Sequence, residues 1–250
     1  MIRDLTVFPA SSGPSRQSKV PAMTSAAELV ACVAAATCSC RRDIWSQIIQ
    51  ELQAKDVLEI GVLRGAFAEH ILRHCGSIAR YYMLDPWRHL EDWNKPANVD
   101  QATFEDIYRE AMGRTDFARE RRIVLRGKTT EMIDGIPDGS LDIAYIDGDH
   151  TLRGIAIDLI RTYPKVRPGG IIGGDDYTPT IWQHADNFEP TLVCPFAAYF
   201  AECHMASIVI LPYNQFAIMK PSGSQCNFRV IDTTQSYGER SLLPQISKRI

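Results

Sequence analysis

Residues 57–74 read Val57-Leu-Glu-Ile60-Gly61-Val-Leu-Arg-Gly65-Ala66-Phe-Ala-Glu-His-Ile-Leu-Arg-His74. Val57–Ile60 is a short, mostly apolar run of the kind that forms a buried strand. Gly61 and Gly65 let the backbone turn tightly, and Ala66–His74 continues as a helix. A strand, a glycine turn and a helix make the opening unit of a parallel sheet.

The same alternation recurs downstream. Tyr81–Leu84, Ile123–Leu125, Leu141–Ile146 and Gly170–Gly173 read as further strands. Between them, Phe104, Ile107, Tyr108, Ala111 and Met112 mark one helix face, Thr129–Ile133 a short helix, and Leu152, Ile155, Ala156, Leu159 and Tyr163 another. Near the end, Ser207–Leu211 and Gln215–Met219 flank Pro212-Tyr-Asn214, which predicts a hairpin. The expected fold is α/β: a doubly wound, mostly parallel, seven-stranded Rossmann-like sheet with one antiparallel strand near the C-terminal edge.

Upstream, residues 1–20 contain Ser11-Ser-Gly-Pro-Ser15 and no apolar period, so they read as a disordered tail. Residues 21–53 form a helical segment that covers the core. Thr24 or Ser25 is its cap, and Trp45, Ile48, Ile49 and Leu52 lie on one face. The main domain spans residues 54–222, followed by a C-terminal extension over 223–250.

Composition narrows the classes. The 250 residues carry 27 basic and 30 acidic side chains, for a net charge of −3. There is no basic block, which argues against a nucleic-acid or anionic-membrane partner. No run of 18 apolar residues marks a transmembrane helix. Seven scattered cysteines fit reduced thiols in the cytoplasm better than a disulfide framework.

In open sheets of this kind, ligands bind beyond the carboxyl ends of the strands. The first strand carries Glu59 ahead of Gly61 and Gly65, a G-x-x-x-G spacing rather than the G-x-G-x-x-G of dinucleotide binders. Glu59 would repel a diphosphate and suits a cationic ligand. Asp85 ends the second strand, where an acid can hold both hydroxyls of a ribose. A turn or cap role is the alternative. Lys128 and Thr129 follow the third strand and either contact an adenine edge or cap the next helix. The fourth strand ends in Asp147-Gly-Asp149-His150 and the fifth in Asp175-Asp176. Like charges this close need a positive compensation. A divalent cation supplies it, and oxygen-only ligands favour Mg²⁺. Helix capping by the same acids is the competing reading.

The series Val57-Leu-Glu-Ile-Gly61-x-x-x-Gly65, Leu84-Asp-Pro-Trp87, Ile146-Asp-Gly-Asp-His150 and Arg167-Pro-Gly-Gly-Ile-Ile172 resembles class I S-adenosylmethionine-dependent methyltransferases over roughly residues 50–220. Asp147-Gly-Asp149 with Asp175-Asp176 is similar to the metal-dependent O-methyltransferases of antibiotic sugar hydroxyls, and catechol-type enzymes share the layout. The resemblance implies Mg²⁺ on Asp147, Asp175 and Asp176, and S-adenosylmethionine held by Glu59, Gly61, Gly65 and Asp85. Lys128 and Thr129 fall beside the adenine, and Asp147 lies at the donor as well as the metal. It nominates two bases: Asp149 by the sugar enzymes and His150 by position in the catechol-type enzymes. It also suggests a natural-product setting.

Two adjacent hydroxyls would chelate such a metal best. The expected partner is therefore a small hydroxylated acceptor, a sugar or aromatic ring with a vicinal diol. Trp87, Trp93, Trp182, His184, Phe188, Phe196, Tyr199 and Phe200 are candidates for its wall, with core packing or a homo-oligomer contact as the alternative. His89–Val99 is polar and aperiodic, in the manner of a lid. A metal-independent, N-directed methyltransferase and a non-catalytic S-adenosylmethionine-binding protein remain as further readings of the same residues.

Overall fold

The structure, a computed structural model, describes residues 26–35, 38–185, 187–223 and 227–236. The expected tail over 1–20 and the cap at Thr24 or Ser25 lie outside the described residues.

Strands β1 (Asp56–Ile60), β2 (Arg80–Asp85), β3 (Arg122–Arg126), β4 (Leu141–Ile146), β5 (Val166–Gly174), β6 (Ser207–Leu211), β7 (Gln215–Met219) and β8 (Val230–Asp232) form one sheet in the order β3-β2-β1-β4-β5-β7-β6-β8. All pairings are parallel except those of β7 with β5 and β6. The single antiparallel strand is therefore as expected, but it sits between two others. The described residues hold eight strands rather than seven. The extra one, β8, has three half-buried residues, too short for a periodic signal.

The reversal of order between β1 and β4 opens the crevice that such sheets use for ligands. Strand β1 is buried from Val57 to Ile60, as a parallel strand covered on both faces must be. Alternate residues serve opposite faces. Val57, Tyr81, Ile143, Tyr145 and Ile171 join one apolar cluster with helices α1 (Ala26–Ala35), α2 (Arg41–Glu51), α3 (Ala66–His74) and α4 (Gln101–Arg114). Leu58, Tyr82, Ala144, Ile146 and Ile172 join the other, with α5 (Thr129–Met132), α6 (Leu152–Thr162) and α7 (Val193–Cys203).

Strand β5 starts four residues earlier than Gly170. The ladder shifts register between Leu141 and Ile143, and that irregularity accommodates Pro168 and the left-handed Gly169. The hairpin turn is as expected, with Tyr213 and Asn214 both at positive φ (60° and 57°).

Gly61 holds the crevice together. Its φ is +84°, and a Cβ there would lie 2.0 Å from the Asp147 carbonyl oxygen. The glycine lets the end of β1 dock against the end of β4, and Asp147 N–H donates to Ile60 O at 2.7 Å. Gly61→Ala is expected to lose about 2 kcal/mol or more, from left-handed strain plus the clash. Urea denaturation checks this; an unchanged midpoint would contradict the close docking.

Among the described residues no helix is long and apolar enough to cross a membrane.

Candidate functional site

The acids anticipated at the strand tips do converge, and their counter-charges come from Arg41 of the N-terminal helical segment and from His150. Helix α2 is seated by Trp45, which is fully buried with its indole N–H donating to Gln215 Oε1 at 3.0 Å. Its ring occupies the space above Gly173, where a Cβ would fall 2.3 Å from it. One turn earlier, Arg41 lies on the same helix face. Its Nη1 stands 3.0 Å from Asp147 Oδ2 and contacts Asp175 Oδ2. The Tyr145 hydroxyl donates to Gln215 Oε1 at 3.0 Å and adjoins the same guanidinium. Burial alone would lower the Arg41 pKa, but Tyr145, Asp147 and Asp176 hold it above its ordinary value.

Gln215 opens β7 and is fully buried. Its amide nitrogen donates to Asp175 Oδ1 and, at 2.9 Å, to Tyr213 O. It accepts from Trp45 and Tyr145, so the side chain is saturated and Asp175 is held in place.

Asp176, in the left-handed region at φ 59°, turns the other way. Its Oδ2 pairs with His150 Nδ1 and its Oδ1 accepts from Gln183 Nε2 at 2.9 Å. His150 Nε2 lies 3.5 Å from Asp147 Oδ1 and has no hydrogen-bond partner. Burial pulls the His150 pKa down, yet Asp147 and Asp176 more than offset it and lift it to about 9. Burial pushes Asp176 up, and His150 overrides that, bringing it to about 2. The result is an imidazolium–carboxylate pair.

All six carboxylate oxygens of Asp147, Asp175 and Asp176 thus face a nitrogen of Arg41, Gln215, Gln183 or His150. A hard cation needs lone pairs turned toward it. As arranged, the trio expected from the sequence does not fit Mg²⁺. One atom from each of Asp147, His150 and Asp176 does lie within 4.8 Å of the others. That group excludes Asp175 and would need the imidazole as a ligand.

Asp149 is spoken for. It folds back over the start of α6, accepting from Thr151 N and Thr151 Oγ1, each at 3.0 Å, and from Trp93 Nε1 at 3.0 Å. Of the two bases nominated, Asp149 is fully engaged, while His150 keeps its Nε2 buried 3.5 Å from Asp147 Oδ1.

The donor-side residues also gather, with different tasks. Glu59 is buried (1% exposed) and accepts from the Tyr81 hydroxyl at 2.7 Å. Burial drives its pKa up to about 8, helped by Asp147 and Asp85 and opposed by Tyr81 and Arg41. Asp85 accepts from the N–H groups of Val62 and Leu63, both at 2.9 Å, and of Trp87 at 2.7 Å. A carboxylate has about four acceptor positions, so one remains where two ribose hydroxyls were expected. Leu63, after β1, and Trp87, after β2, sit at φ 50° and 41°, uncommon for bulky side chains, so that acid holds both turns under strain. A Cβ on Gly65 would fall 3.0 Å from the α-carbon of Ala111 in α4. Thr129 donates to buried Asp158 at 2.6 Å, and Lys128 heads α5, with its amine 3.3 Å from Asp92.

The segment His89–Val99 is a compact cover. Asn98 ties it to itself through Leu90 and Trp93. Lys95 clips it to Glu189 O at 2.7 Å. A cavity of about 750 Å³ opens among its own residues, Trp93, Asn94 and Lys95 included, and is closed on one side by Phe188 and Glu189. Trp93 and Phe188 therefore do line a pocket. Trp87 is core, and Phe196 and Phe200 pack with Tyr163 and His204 on the far side of the sheet. Tyr199 is exposed.

Arg41, Gln215, Tyr81 and Tyr145 were missed by sequence reasoning. The one available signal for Arg41 was the surplus of acid itself, which called for a positive charge without saying whose.

Residues 58–177 match a family model described as a methyltransferase domain. No curated protein matches the chain. Among solved structures, similar folds include an O-methyltransferase from Bacillus cereus in complex with SAH (18% identity, TM-score 0.51, covering 81% of this chain and 94% of that one). Another is the O-methyltransferase TomG from Streptomyces achromogenes, involved in tomaymycin synthesis, in complex with SAM (15%, 0.51, 82% and 93%). A third is a putative caffeoyl-CoA O-methyltransferase from Staphylococcus aureus (13%, 0.53, 76% and 88%). At these identities the likeness is one of fold.

Proposed function

We propose that this chain, whose residues 58–177 carry a methyltransferase domain, moves a methyl group from S-adenosylmethionine to a hydroxyl of a small molecule, with His150 as the base. The observation that carries this reading is the His150–Asp176 pair at neighbouring strand tips, with Nε2 on the opposite side of the ring 3.5 Å from Asp147 Oδ1. The solved relatives that bind SAM or SAH and are described as O-methyltransferases support the donor and the acceptor atom.

In the reaction, the acceptor oxygen attacks the methyl carbon in line. The C–O bond forms, the C–S bond breaks, and its electron pair stays on sulfur. The hydroxyl proton passes to His150 Nε2. Asp176 holds Nδ1–H, which sets the tautomer and stabilises the imidazolium that forms. The ring must be neutral to act, so the reaction speeds up as pH rises toward about 9.

S-adenosylmethionine lies over the loop after β1 in this account. Glu59 stands buried at the end of β1 behind that loop, Gly61 and Gly65 shape the loop, and Asp85 fixes it with room for one ribose hydroxyl. Lys128 and Thr129 lie further out, and their roles are capping and packing. The acceptor approaches past His89–Val99, whose Trp93 bonds Asp149 next to His150 and whose mixed polar and apolar groups suit a hydroxylated ring.

Mg²⁺ assistance is the second reading, favoured by the grouping of Asp147, His150 and Asp176 within 4.8 Å. The test is release of S-adenosylhomocysteine over a panel of phenols, catechols and sugars, each with and without EDTA. Turnover that survives EDTA supports the first reading, and turnover lost to EDTA and restored by Mg²⁺ supports the second. Release from amines alone would overturn the hydroxyl assignment.

A further inference from the structure

We propose that Arg41 is the built-in cation of the strand-tip acids and that it shuts divalent metals out of a site that would otherwise take one. This deepens the reading above and rests on the strand tips being the reactive site.

The placement is firm. Asp147 and Asp175 come from neighbouring strands β4 and β5, and the guanidinium bridges them. Arg41 is not a surface side chain that swings in. Its Nη1 is buried, and it rides one turn ahead of Trp45, which is locked over Gly173 and bonded to Gln215. The same Gln215 holds the other oxygen of Asp175. Helix, cation and acid therefore share one anchor. The helix also lies before residue 58, where the match to the methyltransferase domain begins.

A guanidinium is well suited to this task. It stays protonated at any working pH, so a metal cannot displace it by stripping a proton, as it could with lysine or histidine. Without it, Asp147 Oδ2 and Asp175 Oδ2 would face each other with nothing positive between them. Two like charges at that spacing recruit a cation or a proton. The Oδ2 atoms of both acids would then be available to a hard divalent ion.

Mn²⁺ binding, followed by loss of the free-ion electron paramagnetic resonance signal, tests this on the full chain with neither donor nor acceptor present. Wild type is expected to leave Mn²⁺ free at about 1 mM, a weak-site concentration. Arg41→Ala is expected to bind one ion per chain on the order of tenfold tighter or more. Arg41→Lys, which keeps a charge but one that can lose its proton, should fall between wild type and Arg41→Ala. Asp175→Asn added to Arg41→Ala should abolish the gain. Arg41→Met keeps the apolar stem and serves if the alanine variant does not fold, with a Mn²⁺-dependent rise in melting temperature as its readout. Wild type binding as tightly as the variants, or variants gaining nothing, overturns the proposal. Either failure leaves the methyl-transfer reading standing, because that reading is tested by S-adenosylhomocysteine release.

Discussion

His150→Ala is expected to slow methyl transfer by about 10²–10⁴-fold while leaving S-adenosylmethionine affinity within a few-fold of wild type. The size is that of a general base removed. The selectivity follows because His150 belongs to the acid cluster after β4 rather than to the loop that Asp85 organises. The wild-type pH profile gives the second signature. Below about 9 the ring is protonated, so kcat/KM should climb roughly tenfold per pH unit and level off near there. Asp176→Asn removes a carboxylate that lifts the His150 pKa, so the rise should move to lower pH while its plateau falls. A flat profile in wild type, or an alanine variant that raises KM without touching kcat, would show that His150 merely positions something else.

Glu59→Gln is expected to stabilise the protein at alkaline pH and do nothing below pH 4.5. The sign follows from the direction of the shift. Glu59 is raised from 4.5 in the unfolded chain to about 8 when folded. Its contribution is fully present below 4.5 and is lost as pH rises toward 8, because the folded state retains a proton that the unfolded chain has released. At about 1.4 kcal/mol per unit, the loss is several kcal/mol, on the order of 5 at most. Glutamine is neutral at every pH and keeps an oxygen for the Tyr81 hydroxyl. The difference between variant and wild-type melting temperatures should therefore open across pH 4.5–8. Parallel curves across that range would mean Glu59 is ionised within the fold, with Arg41 outweighing burial.

Much of this molecule is legible in its sequence because parallel strands declare themselves. Val57–Ile60 and Leu141–Ile146 are apolar apart from one acid each, Glu59 and Asp142, since both faces are covered, and their edges can be read to within a residue. The tips are legible too, because an Asp directly after such a run has one place to be. Roles are harder. Asp149 sits where a base was expected, but a short acid just ahead of a helix finds backbone and hydroxyl donors within two residues, and those win. Arg41 was beyond reach for a different reason. Periodicity shows which helix face is apolar, and a charged residue at a helix start reads as solvated. Only the packing of Trp45 against Gly173 turns that position inward. Gln215 is likewise one polar residue beginning a strand, and its four contacts exist only once β7 slots between β5 and β6.

The most direct check is calorimetric titration of the purified chain with S-adenosylmethionine in EDTA, beside a parallel titration with NAD. The account predicts saturable one-to-one binding of S-adenosylmethionine without metal and no heat from NAD. NAD binding, or S-adenosylmethionine binding only after Mg²⁺ is restored, would contradict it.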